Sequence, residues 1–226
     1  CAFEDQEINE IAQSLEEANI DIIEVGFIRD GRKVHYEGNS TFFTDVNQIK
    51  PFIKRDNPNA IYTAFIDYGM CDIDNLGEYD GSSIDAIRFG FTKKNYDEEK
   101  EEVLRWIRII KEKGYKLFIQ GVNSLNYSDR ELLEIVDMVN EVHPYSFGIV
   151  DTYGAMYMDD DDRLYGLIDH NMIPDICINF HSHNNYQLSF AFAQEVIKLS
   201  GTNNRQIIID GTLGGMGKVA VILIQN

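Results

Sequence analysis

The sequence predicts an α/β chain built on a parallel sheet. Three observations carry that expectation: short apolar, β-branched runs recur along the chain, amphipathic segments alternate with them, and the spacing is that of one βα unit. The runs fall at residues 21–27, 60–67, 86–91, 116–122, 147–151, 176–183 and 206–210. Most are apolar throughout rather than alternating, the pattern of strands covered on both faces. Seven such strands, each trailed by a helix, suit either an open doubly wound sheet or a closed barrel. Both architectures gather ligands at the carboxyl ends of their strands.

Taken in order, the first helix carries an apolar stripe of Ile8, Ile11, Ala12 and Leu15 ahead of the first strand. Residues 31–59 are long, polar and weakly periodic, and read as a functional βα loop with a short helix near residues 46–53. Val103, Trp106, Ile107 and Ile110 mark the next helix, with Asp97 ahead of its acidic first turn and Gly114 at its end. Ser128-Asp129-Arg130-Glu131 reads as a capping box opening the helix of Leu132, Ile135, Val136 and Val139. His143, before Pro144, closes that helix. The run Asp159-Asp160-Asp161-Asp162 reads as a solvated cap satisfying a helix N-terminus.

With 226 residues and 44 % hydrophobic composition, one domain over residues 1–226 is the expectation. The 38 acidic residues against 20 basic ones give a formal charge of −18, which repels phosphate backbones and anionic membranes, so no nucleic-acid partner is expected. No run of about 18 apolar residues and no basic segment ahead of an apolar stretch predicts a membrane span or leader, which makes a cytoplasmic setting the expectation. Cys1, Cys71 and Cys177 lie far apart without CxxC spacing and read as structural thiols.

Chemistry concentrates in Asn179-Phe180-His181-Ser182-His183-Asn184-Asn185. Side chains two apart on a strand point to one side, so both imidazoles face one cavity, either as metal ligands or as a hydrogen-bonded pair. The glycine-rich turn after the last strand fails as a phosphate loop. The positions that need glycine and a hydroxyl hold Thr212 and Val219, which leaves a tight βα turn.

Ile23-Glu24-Val25-Gly26-Phe27, Val150-Asp151-Thr152-Tyr153-Gly154, His181-Ser182-His183-Asn184-Asn185 and Asp210-Gly211-Thr212-Leu213-Gly214-Gly215-Met216-Gly217 together resemble, in that order, the HMGL-like metal-dependent barrel family. That family includes HMG-CoA lyase, 4-hydroxy-2-oxovalerate aldolase and the isopropylmalate and homocitrate synthases. The resemblance implies a (β/α)8 TIM barrel, and the short Asp-Thr-Tyr-Gly and Asp-Gly-Thr-Leu motifs are most similar to the 4-hydroxy-2-oxovalerate aldolase-like members. It implies a carbon–carbon lyase that cleaves a 4-hydroxy-2-oxo acid to pyruvate and an aldehyde. The implied cofactor is a divalent cation, Mn2+ or Mg2+ and sometimes Zn2+, held by His181, His183 and an aspartate of the first strand, with no organic cofactor. A 2-oxo acid chelates such a cation through carboxylate and keto oxygens, and the cation stabilises the enolate formed when the bond breaks.

The same resemblance makes Glu24, Arg88 and Thr152 the catalytic candidates, set against a strand-end charge, a structural ion pair and an ordinary β-branched strand end. Its implied partners are a small-molecule 2-oxo acid and either further copies of the chain or an aldehyde dehydrogenase. Two other readings stand beside it: a Claisen-type synthase joining an acyl-CoA to a 2-oxo acid, and a non-catalytic barrel fragment. An amidohydrolase reading fails because its HxH belongs on the first strand.

The sequence departs from the family at both ends. The family's first-strand Arg-Asp pair would precede Cys1, so the expected barrel lacks its first strand and last helix. Without that aspartate, two imidazoles should hold Mg2+ or Mn2+ poorly and accept Zn2+, Ni2+ or Cu2+ more readily. After Ala220 the family continues Gly-Asn, whereas this chain reads Val221-Ile222-Leu223-Ile224-Gln225-Asn226. Written as GTA ATT TTA ATA CAG AAT, the tail regains Gly-Asn-Phe-Asn-Thr-Glu when one G is restored before it, so a shifted frame is expected there. His35, His143 and His170 read as surface or structural residues.

Overall fold

The structure, a computed structural model, describes residues 3–30, 41–202 and 204–213. Cys1, His35, the first part of the 31–59 loop and the tail from residue 214 onward lie outside the described residues. Two compact units are present, one of residues 1–91 and 95–117 and one of residues 92–94 and 118–226.

The first unit contains α1 (Asp5–Glu17), β1 (Ile22–Ile28), β2 (Phe42–Phe43), β3 (Ile61–Asp67), β4 (Ala86–Thr92) and most of α2 (Lys93–Glu112). Its strands run parallel in the order β2-β1-β3-β4. Glu4 and Glu7 close a capping box on α1, whose Ile8 and Ala12 are buried as the stripe requires. Inside β1 the register slips between Glu24 and Phe27. Gly26 sits there at φ +147°, where a Cβ would lie 2.1 Å from the Thr41 carbonyl oxygen, so only glycine admits the bulge.

The loop after β1 holds more order than its polarity suggests. Phe42 and Phe43 pair with Phe27 and Ile28, and a 3-10 helix spans Val46–Phe52, capped by the Asp45 side chain and carrying buried Val46, Ile49 and Phe52. The helix expected from Asp97 begins at Lys93 instead. Its backbone leaves helical geometry at Glu99 (φ −134°, ψ 35°), so the acidic pair Asp97-Glu98 precedes the second, regular stretch rather than the whole helix. That stretch buries Val103, Trp106, Ile107 and Ile110, with the Trp106 ring stacked on Phe89 at 5.8 Å.

The second unit contains β5 (Lys116–Val122, from Phe118), α3 (Asp129–Val142), β6 (Ser146–Asp151), α4 (Met158–Asn171), β7 (Cys177–Ser182), α5 (Ser189–Ser200) and β8 (Ile207–Ile209). These strands are parallel in the order β5-β6-β7-β8. The Ser128 and Glu131 capping box opens α3, and His143 closes it in the left-handed region (φ +52°) with Nε2 3.1 Å from Asp175. Arg205 is buried against the end of α4. It pairs with Asp169 at 2.6 Å and donates to the carbonyl oxygens of Asp169, Met172, Ile173 and Ile176, satisfying acceptors that a helix end leaves open.

One expectation for α4 is overturned. Asp159 and its neighbours do occupy the first turn, but Asp161 faces inward at 0 % exposure rather than toward water. The helix period turns one of four consecutive aspartates onto the buried face together with Leu164, Tyr165 and Ile168. Cys71 and Cys177 are buried thiols. Among the described residues, no helix is long and apolar enough to cross a membrane.

Candidate metal centre

The alternation of β7 places Asn179 and His181 on one face, and His183 follows two residues further on. The His181 and His183 Nε2 atoms lie 3.3 Å apart, with the rings edge-on at 5.1 Å. Two nitrogens each about 2.0–2.1 Å from one tetrahedral cation are separated by about 3.3 Å, so the pair fits two corners of one coordination sphere. His181 Nδ1 lies 2.8 Å from Asp210 Oδ2, just past the end of β8. A carboxylate only accepts, so His181 donates from Nδ1 and presents the Nε2 lone pair, the form a ligand needs.

The turn after β6 forms the neighbouring wall. His183 donates its backbone N–H to the Asp151 carbonyl oxygen at 3.2 Å. The Asp151 carboxylate is fully buried and accepts from the backbone N–H groups of Ala155 (2.9 Å) and Met156 (3.3 Å), which folds the chain back at the strand end. Burial pushes its pKa up, against the pull of those N–H groups and of His183. Thr152 Oγ1 accepts the Asn123 N–H at 2.8 Å, leaving its own O–H to donate. Among the described residues, no group of three or more His, Cys, Asp or Glu side chains is placed to hold a metal ion. Among the described residues, the two imidazoles are therefore the donors that converge.

Glu24 and Arg88 belong to the first unit. Glu24 is the third residue of β1, not its end, and its Oε2 lies 3.2 Å from Nη1 of the nearly buried Arg88 on β4. They form an ion pair, as one of the two sequence readings has it. Arg29, which sequence reasoning passed over, lies just past β1 between the rings of Phe27 and Phe42 (4.6 and 4.8 Å) and pairs with Asp67 at 2.6 Å. The same unit has a cavity of about 170 Å3 whose lining includes Asp30, Asp45, Cys71 and Asp72. Three carboxylates make it a poor seat for an anionic acid.

Sequence reasoning also missed the parts played by Asp210, Asn179 and Gln120, whose side chains connect to His181. Asn179 carried a signal, because it shares strand parity with His181. Gln120 carried only the oddity of an amide inside an apolar strand.

A family model described as HMGL-like matches residues 1–222. The chain belongs to the HMGL-like family. Several solved structures resemble this HMGL-like chain. One, the N-terminal domain of a putative aldolase from Bacteroides vulgatus, is 18 % identical over 98 % of this chain and 71 % of its own, with a TM-score of 0.72. Another is an HMG-CoA lyase from Acinetobacter baumannii in complex with coenzyme A and 3-methylmalate, 13 % identical over 98 % of this chain and 74 % of its own, with a TM-score of 0.74. The carboxyl transferase domain of Rhizobium etli pyruvate carboxylase is 13 % identical over 96 % of this chain and 38 % of its own, with a TM-score of 0.64. No curated protein sequence matches the chain. At these identities the likeness carries the fold, which is α/β of the TIM-barrel class. HMGL-like proteins include carbon–carbon lyases and carboxyltransferases, and enzymes of the family generally depend on a divalent metal.

Proposed function

We propose that the chain serves a metal-dependent carbon–carbon lyase of the 4-hydroxy-2-oxovalerate aldolase-like type, cleaving a 4-hydroxy-2-oxo acid to pyruvate and an aldehyde. The observation that carries the reading is the 3.3 Å approach of the two Nε2 atoms, with the His181 lone pair directed by Asp210. A divalent cation bound there supplies Lewis acidity toward the 2-oxo group and takes up negative charge as the bond breaks. His181 and His183 hold that cation. Thr152 offers its O–H to a substrate oxygen. Glu24 and Arg88, an ion pair within the first unit, stand as the further catalytic candidates. With imidazoles as donors, Zn2+ should bind more tightly than Mn2+ or Mg2+. A cytoplasmic setting, assembly with further copies and an aldehyde dehydrogenase that consumes the aldehyde belong to the same reading.

The likeness to a putative aldolase and to an HMG-CoA lyase supports cleavage over condensation. One observation favours a non-catalytic barrel instead, namely that two donors rather than three converge among the described residues. Isothermal titration of Zn2+ and Mn2+ into the chain and into His181→Ala, followed by a pyruvate-release assay on 4-hydroxy-2-oxovalerate, separates these readings. Cation binding weakened at least about tenfold by His181→Ala, together with pyruvate release, is expected. Binding without release from this or a related 4-hydroxy-2-oxo acid selects the non-catalytic reading, and binding indifferent to His181 removes the metal centre.

A further inference from the structure

We propose that Gln120, Asn179 and Asp210 form a positioning relay that fixes the tautomer and aim of His181, and that Gly148 is the gap through which the relay crosses the sheet. The proposal rests on the metal-site reading above and extends it to residues that touch neither cation nor substrate.

The register puts Gln120 on β5, Gly148 on β6, Asn179 on β7 and Ile208 on β8 in one row across four strands. Gln120 and Asn179 therefore lie two strands apart, about 9–10 Å at the backbone. Their side chains nevertheless meet, Gln120 Nε2 donating to Asn179 Oδ1 at 2.5 Å. The contact is open because the strand between them carries glycine: a Cβ on Gly148 would lie 2.2 Å from Gln120 Oε1. Both amides are buried, at 2 % and 0 % exposure, beside the buried Leu117, Phe118 and Ile119 of β5 and Ile178 and Phe180 of β7. A pair of apolar side chains would fill this space without having to satisfy any polar atom, so a buried amide pair calls for a reason other than packing.

The sense of each hydrogen bond supplies that reason. Asn179 Nδ2 donates to Asp210 Oδ1 at 2.8 Å and to the Ile208 carbonyl oxygen at 3.2 Å. Both partners accept only, so the Asn179 amide cannot turn over, and its oxygen must face Gln120. Gln120 in turn can only present its NH2. With Oδ1 of Asp210 held from below, Oδ2 is fixed toward His181 Nδ1 at 2.8 Å. Every donor and acceptor in the series has one sense, and the series ends on the His181 lone pair. Histidine ligands commonly carry a carboxylate on the other ring nitrogen, and losing such a partner typically weakens metal binding 10- to 100-fold.

The test has two readouts on the full chain. Long-range 1H–15N spectra of the metal-free protein at pH 8 report the His181 tautomer directly: Nδ1–H is expected, with a shift toward Nε2–H in Asp210→Ala. Zn2+ titrations of Asp210→Ala, Gln120→Leu and the double variant then form a cycle. The expected result is a loss of affinity of about 10- to 100-fold for Asp210→Ala, a several-fold loss for Gln120→Leu, and no added loss in the double variant, because Gln120 acts through Asp210. His181 remaining Nδ1–H in Asp210→Ala overturns the relay at its last link. Independent, multiplicative losses in the cycle overturn the role of Gln120 and leave it a packing residue. If the unaltered chain binds no Zn2+, the metal centre fails as a reading, while the tautomer spectra still decide whether the relay sets His181.

Discussion

Both carboxylate oxygens of Asp161 are buried without a hydrogen-bond partner among the described residues. Burial first, then the charges of Asp162, Glu195 and Asp151, push its pKa up to about 8. In the unfolded chain the group ionises near its ordinary value of 3.8. The folded state therefore holds a proton that the unfolded state has released, and stability falls as pH rises from about 4 to 8. Asp161→Asn should raise the unfolding free energy at pH 8 by on the order of a few kcal/mol, seen as a higher thermal midpoint, and leave both nearly unchanged at pH 4. Equal midpoints at both pH values would place the carboxylate in water. The contrast with His181 and His183 shows what is legible at this scale. Two histidines at i, i+2 on a strand declare a shared face in the sequence itself, whereas which of four aspartates turns inward depends on where the helix packs. The pairing of His181 with Asp210 joins residues 29 positions apart and needs the register of β7 on β8.

Elements carry their own tests. Ser128 accepts the Glu131 N–H while the Glu131 carboxylate accepts from the Ser128 N–H, and Lys93 first, then Ser128, holds the Glu131 pKa down to about 2. The contribution of that cap is present above the ordinary glutamate range and fades as pH drops toward 2. Ser128→Ala should lower stability by about 1 kcal/mol in urea without changing the slope of the transition. Gly148→Ala inserts a methyl group 2.2 Å from Gln120 Oε1 and should cost about 1–3 kcal/mol; a neutral result would contradict the close crossing of β6. The strands and the main helices could be read from periodicity because each is long enough to repeat. The two-residue β2 and the first turns of α2 could not. Phe42-Phe43 has no period to detect, and the start at Lys93 lacks the acidic signature that Asp97 and Glu98 lend to the later stretch.

At the scale of the molecule, the formal charge of −18 sets a self-repulsion that salt screens within about 10 Å at 0.1 M. Raising NaCl from 10 to 300 mM should therefore raise the thermal midpoint, and a flat response would mean that the acidic groups are already neutralised by local pairing. The α/β class was legible in alternation and spacing alone, since runs buried on both faces imply helices on both faces. The choice between an open sheet and a barrel was not legible there, because strand periodicity is identical in the two. Four short motifs in a fixed order carried that choice, and the match of the HMGL-like model across residues 1–222 agrees with them.

Glu16 is nearly buried at the end of α1, and its carboxylate accepts the N–H groups of Arg55, Asp56 and Asn57 together with the Tyr62 hydroxyl. Burial alone would raise its pKa, but the Tyr62 hydroxyl and those three N–H groups outweigh it and hold the value below the ordinary glutamate range. The Arg55 guanidinium is meanwhile engaged by Asp85 and by the Ser83 carbonyl oxygen. A stretch without helix or strand is thus pinned at backbone and side chain alike. The peptide bond after Arg55 is one that trypsin should cut only once Glu16 lets go, so the speed of that cut clocks how often this corner opens.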